Sequence, residues 1–118
     1  MSAGGDGSFA YSGLDRVLHE KARLSVLTAL LSSPRGLPFV ELKRLCDLTD
    51  GNLARHLEVL DREGLCRSRK QGADGRPQTL VALTPKGRRA FLAYLEELER
   101  VLRDAREAGG TAGSPATA

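Results

Sequence analysis

The chain is poor in the residues that most often signal a particular chemistry. It contains no tryptophan, one methionine, two cysteines, two tyrosines and three phenylalanines in 118 residues. Phe9, Tyr11, Phe39, Phe91 and Tyr94 are too few and too scattered to build a platform on which unpaired bases would stack. Cys46 and Cys66 fall at apolar positions with no close spacing, which excludes a disulfide framework and a four-ligand zinc site and points to a reducing, intracellular setting. No apolar run reaches the ~18 residues of a membrane span. The Gly/Ser-rich stretch from Met1 to Gly13 lacks a hydrophobic signal segment, so a cytoplasmic protein without membrane attachment is expected. A glycine-rich phosphate loop is also missing, as is any grouping of nucleophile, base and orienter. The two histidines, His19 and His56, lie in separate helix patterns. No catalytic residue, cofactor or metal is therefore expected, and an enzyme is the class least supported.

What is present is an uneven distribution of charge. The net charge is only +3. Between Arg62 and Arg89, however, stand Arg62, Arg67, Arg69, Lys70, Arg76, Lys86, Arg88 and Arg89 against Glu63 and Asp74. Such clustering suits a polyanionic partner better than the net value does.

Residues 1–12 and 108–118, rich in Gly, Ala, Ser and Thr, lack the apolar surface to offset the entropy of ordering them and read as disordered tails around one domain at 13–107. Leu14, Val17, Leu18, Leu24, Leu27, Leu30 and Leu31 recur at helical steps up to Ser33, where Pro34 and Gly36 stop the pattern. A short second helix from about Pro38 turns Leu42 and Leu45 inward, and Asp47-Leu48 forms a turn. Thr49 fits an N-cap, Asp50 suits the positive end of the helix dipole, and Leu53, Leu57 and Leu60 make one buried stripe of a helix from Asp50 to Glu63, ended by Gly64. Leu65–Lys70 and Gln78–Leu83 read as strands joined by a turn at Ala73-Asp74-Gly75-Arg76. Thr84-Pro85 opens a last helix running to about Arg106. The fold class is mainly α with a small β-hairpin, a winged helix-turn-helix with long N- and C-terminal helices.

With the leucine stripe buried, Asp50, Gly51, Asn52, Arg55, His56 and Glu58 are left variously exposed, and the first half of that helix would lead into a major groove. Arg55 and Asn52 are the best base readers, since arginine donates bidentately to guanine and asparagine pairs with adenine, each worth roughly 1–3 kcal/mol of discrimination. Thr49, Asp50 and Gly51 would lie at the duplex backbone, and His56 reads as a phosphate donor or a packed side chain rather than a metal ligand. Arg76 at the wing tip suits the minor groove, and Arg67, Arg69 and Lys70 are candidate phosphate contacts. Leu14, Val17, Leu18, Leu95, Leu98, Val101 and Leu102 exceed what so small a core covers and are expected to form a dimer seam. Cys66 stands beside Arg67 and Arg69, cations of the kind that lower a thiol pKa, which leaves a redox role for Cys46 or Cys66 as a minor expectation.

The segments LDRVLHEKARL, FVELKRLCDLTDGNLARHLEVLDREGL and VALTPKGRRAF, within Leu14–Leu102, resemble the winged-helix domains of the MarR and ArsR classes of bacterial transcriptional regulators. The resemblance implies a homodimer on a near-palindromic operator in double-stranded DNA, with the helix from Asp50 in the major groove and the wing beside it. Asp74-Gly75-Arg76 matches the Asp-x-Arg of MarR-class wing tips. Only Cys46 stands where ArsR-class metal sensors carry Cys-x-Cys, and the chain lacks the extra terminal helices that frame the MarR ligand pocket, so the resemblance assigns no effector. The expected function is a sequence-specific DNA-binding regulator, most readily a repressor; the alternative is a winged-helix protein-interaction module without DNA specificity.

Overall fold

The computed structural model describes residues 11, 17, 20–72 and 77–113. Helix α1 (Lys21–Leu31) opens at Glu20, whose carboxylate accepts from the amide of Ala22 at 3.0 Å. Of the helix expected from Leu14, the part from Lys21 is described, and Glu20 satisfies a free amide of its first turn. Leu14, Leu18 and His19 lie outside the described residues. Val26, Leu27 and Leu30 of α1 are buried, and its apolar side chains are spread around the axis, as suits a helix covered by neighbours on several sides.

A strand absent from the sequence reading follows. Strand β1 (Leu37–Pro38) pairs with β3 (Gln78–Leu83), which pairs in turn with β2 (Cys66–Gln71), giving an antiparallel sheet of order β1-β3-β2. Two residues carry no periodicity to detect, and Pro38 argues locally against a strand; β1 exists because Gly36, at φ 98°, lets the loop lie against β3. The expected two-stranded ribbon is thus three-stranded.

Helix α2 (Phe39–Cys46) buries Leu42 but leaves Leu45 51% exposed, correcting its inward placement. With only eight residues, α2 offers one narrow inward stripe, and Leu42 takes it. Asp47 adopts a left-handed conformation (φ 55°) and turns the chain into α3 (Asp50–Arg62). Thr49 caps α3, accepting from the amide of Asn52 at 3.1 Å, and Gly64 (φ 75°) lets the chain leave it. Leu53, Leu57 and Leu60 are buried, joining Val26, Leu27, Leu30, Leu42, Val81, Phe91 and Tyr94 in one core.

Helix α4 (Pro85–Gly113) is the longest element, 29 residues, or about 44 Å at 1.5 Å per residue. It continues past the end expected near Arg106, so residues 108–113 are helical rather than part of a tail. Once α4 is nucleated on the core each further residue adds a hydrogen bond at little cost, and Ala105 to Ala108 are good helix formers. Residues 1–10, 12 and 114–118 of the expected tails are outside the described residues. No helix among the described residues is long and apolar enough to cross a membrane.

Candidate nucleic-acid interface

Helix α3 turns two different faces to its surroundings. Inward are the three leucines and His56, only 5% exposed. Outward are Asp50, Gly51, Asn52, Ala54, Arg55 and Glu58. Asn52 and Arg55 share this outer face, one turn apart, with the Arg55 guanidinium donating to Asn52 Oδ1 at 3.4 Å. That contact is long and solvent-exposed, so both groups can exchange it for a base edge at little cost. Asp50 is held by the Lys43 ammonium of α2 at 2.9 Å. The pair offsets a charge that would otherwise repel a phosphate and ties the start of α3 to the preceding helix. The ion pair was not legible in the sequence, where Asp50 was read through the helix dipole and as one of the DNA-binding residues. Gly51 has open space where a Cβ would stand, with nothing within 4 Å.

The exposure expected for His56 is corrected by its packing. Its ring sits against α1, where Arg23 Nε donates to Nδ1 at 3.4 Å and the same guanidinium reaches the Val17 carbonyl at 3.3 Å. Nδ1 accepts, so the ring proton resides on Nε2. Burial lowers the His56 pKa, Glu20 acts in the opposite direction, and Arg23 and Arg55 add to the lowering. A 3.6-residue period places position 56 beside position 60, at the edge of the inner face, a consequence that the polarity of histidine obscured.

On the wing, Arg67, Arg69 and Lys70 are exposed along β2, where only Cys66 is buried. Cross-strand register sets Arg67 opposite Ala82, Arg69 opposite Leu80 and Lys70 opposite Thr79. The tip, with Asp74 and Arg76, is outside the described residues. Cys66 does not gain the low pKa that its arginine neighbours suggested. Burial, with a smaller effect from Asp61, pushes its thiol up to about 12, because strand alternation turns Arg67 to the other face. Cys46 is half-buried and shifted upward by burial as well.

The junction between α3 and α4 fixes the position of the interface. The Thr84 hydroxyl donates to the Gly64 carbonyl at 2.6 Å and accepts from the Gly87 amide at 2.9 Å, while the Thr84 amide donates to the Leu65 carbonyl at 3.0 Å. Lys86 donates to the Glu63 carbonyl at 3.0 Å, a cation placed at the negative end of α3. Gly87 lies so near that a Cβ would stand 1.9 Å from the Leu65 oxygen. Thr84-Pro85 was legible as a helix start; the close backbone approach at Gly87 was not.

The residues assigned to a dimer seam divide. Val17, Leu95 and Leu98 are partly buried against the chain's own core, Val101 is half-buried, and Leu102 is 47% exposed, as is Leu92 at 42%. Tyr11 reaches α4 from the N-terminal side, donating to Asp104 at 2.9 Å beneath the Arg100 guanidinium.

A helix-turn-helix followed by a β-hairpin, with cations on the hairpin and exposed polar side chains on the second helix, defines a winged-helix DNA-binding protein. Residues 22–102 match the family profile described as the winged helix DNA-binding domain, and the chain belongs to that family. An uncharacterized protein of Methanocaldococcus jannaschii is 36% identical over 83 residues, covering 70% of this chain and 89% of that protein. The structure of a transcriptional regulator homologue from Pyrococcus horikoshii is 35% identical with a TM-score of 0.73, covering 77% of this chain and 89% of that one. A MarR-family structure from Enterococcus faecalis, 19% identical, shares the fold at a TM-score of 0.70 over 92% of this chain and 96% of that one.

Proposed function

We propose that the protein is a homodimeric, sequence-specific repressor that occupies a near-palindromic operator, with α3 in the major groove and the wing along the flanking minor groove. The observation that carries this reading is the pairing of Asn52 and Arg55 on the exposed face of α3 with the exposed Arg67, Arg69 and Lys70 of β2. Asn52 and Arg55 read base edges; Thr49, Asp50 and Gly51 lie at the backbone; Arg67, Arg69 and Lys70 neutralise phosphates; Arg76 enters the minor groove. His56 has no place at the duplex in this arrangement and acts instead by setting α3 against α1. The apolar side of the distal half of α4, Val101 and Leu102 above all, pairs two copies.

Selection of bound fragments from genomic DNA, followed by footprinting, tests the whole reading. Protected half-sites about 34 Å apart, one helical turn, are expected of such a dimer. In anisotropy titrations, Arg55→Ala should remove roughly 1–3 kcal/mol of preference for the selected site over random duplex. An unaltered preference in that variant would sink the assignment. Val40, 66% exposed, and Leu45, both on α2, favour a second reading as a protein-docking module; retention of a stoichiometric protein partner without duplex binding at moderate salt would select it.

A further inference from the structure

Arg23, on the face of α1 turned toward α3, makes two contacts that supply direction more than stability. Its Nε donates to His56 Nδ1 at 3.4 Å, and its Nη1 donates to the Val17 carbonyl at 3.3 Å. It has no ion-pair partner among the described residues. Both acceptors are neutral, both bonds are long and the guanidinium is only half-buried, so little of the folding free energy resides here.

Direction is what α3 otherwise lacks. Leu53, Leu57 and Leu60 hold it on the core by apolar contact, which is non-directional and resists a roll about the helix axis only weakly. His56 is the buried polar side chain of α3, and its ring is the point at which α1 grips that helix through a directed bond. Arg55, the preceding residue, stands on the outer face. A roll of about 10° carries a side-chain tip about 6 Å from the axis through about 1 Å. A bidentate base contact needs both of its donors in place, whereas phosphate contacts made by the wing are indifferent to that roll.

We propose that Arg23 is a positioning residue for sequence readout: by holding His56 Nδ1 it fixes the roll of α3 and the aim of Asn52 and Arg55, and it does so only while His56 is neutral. The assignment rests on the DNA reading above. A proton on Nδ1 removes the acceptor and sets a second cation against the guanidinium, so the bond and the protonated ring exclude each other. Burial is the largest influence keeping the ring neutral; among charged groups, Glu20 at the head of α1 opposes it, and Arg23 on α1 and Arg55 on α3 reinforce it.

The test compares a duplex selected from genomic DNA with a random duplex of equal length, in anisotropy titrations at about pH 7.5 and about pH 5.5. Arg23→Met keeps the apolar stem and removes the donors. At the higher pH it should weaken the selected duplex about tenfold, the lower end of what one bidentate base contact contributes, and leave the random duplex unchanged. Arg23→Lys should recover part of the loss. Acidification should reduce the same preference in the wild type and not in His56→Asn, which keeps an acceptor near the Nδ1 position and cannot titrate. An unaltered preference in Arg23→Met, or an equal loss on both duplexes, overturns the proposal. Identical pH profiles for wild type and His56→Asn also overturn it, and they decide the matter if Arg23→Met does not fold. If no duplex is selected, the DNA reading fails by itself. The grip on α3 is then judged from amide shifts of the nitrogen-15-labelled full chain, where Arg23→Met should move the signals of Asn52 to Leu57; unmoved signals overturn the grip as well.

Discussion

At the scale of single residues, His56 and Gly87 govern the most. His56 is buried neutral, with Glu20, Arg23 and Arg55 as the charged groups that act on it. Because burial lowers its pKa below the ordinary 6.5, the unfolded chain binds more protons than the folded one once the pH falls through that value. The stability contributed by neutral His56 is therefore complete above about pH 6.5 and is lost progressively as the pH falls toward the folded-state pKa. Thermal melts between pH 7.5 and 5 should show a fall in Tm that His56→Gln flattens; equal slopes for the two proteins would refute the role. Gly87 permits no side chain. Gly87→Ala should destabilise by about 3 kcal/mol or more, since the clash is with backbone and a shift of α4 is the only relief. Urea denaturation measures it, with Gly51→Ala as the contrasting case.

Among the elements, α3 and the wing carry the expected binding, and their details separate stability from recognition. Gly51 costs helix propensity and fills no space in the protein, so Gly51→Ala should raise stability by up to ~1 kcal/mol. If the Gly51 backbone approaches phosphate closely, the same substitution weakens duplex binding. A gain in both properties would end that account. Arg67→Ala and Arg69→Ala should each reduce the slope of log affinity against log salt by about 1 while leaving sequence preference intact. Much of this was legible beforehand. Thr49, the leucine stripe and Gly64 fixed α3 through spacing and capping, and both long strands of the wing were found by composition and turn signals. β1 was not, because a strand of two residues exists only through its partner β3. His56 was left between a phosphate donor and a packed side chain because polarity and position gave opposite answers, and position prevailed: its imidazole gains an arginine partner on α1. The low pKa suggested for Cys66 failed for a related reason, since adjacency along a strand means opposite faces.

For the molecule as a whole, the distal part of α4 sets the behaviour. The chain extends 62 Å along its longest axis but 24 Å along its shortest, and α4 accounts for much of the difference. Phe91 and Tyr94 anchor its first half in the core, whereas Leu102 remains open. Leu102→Glu should therefore leave the fold intact, convert a dimer to a monomer in sedimentation velocity, and lower operator affinity through loss of the second half-site. A wild-type chain that sediments as a monomer at micromolar concentration would discard the seam.

The splice at Thr84, Lys86 and Gly87 gives this helix a mechanical meaning. Three hydrogen bonds, from the Thr84 hydroxyl, the Thr84 amide and Lys86, and one side-chain-free contact join the start of α4 to the end of α3 and the residues just after it, leaving no slack at the joint. The long helix is then a tiller for the short one. A tilt of about 5° applied 20 Å along it displaces the gripped point by only about 2 Å, yet the whole 5° reaches α3, so a contact on α4 far from any base can alter where Asn52 and Arg55 aim.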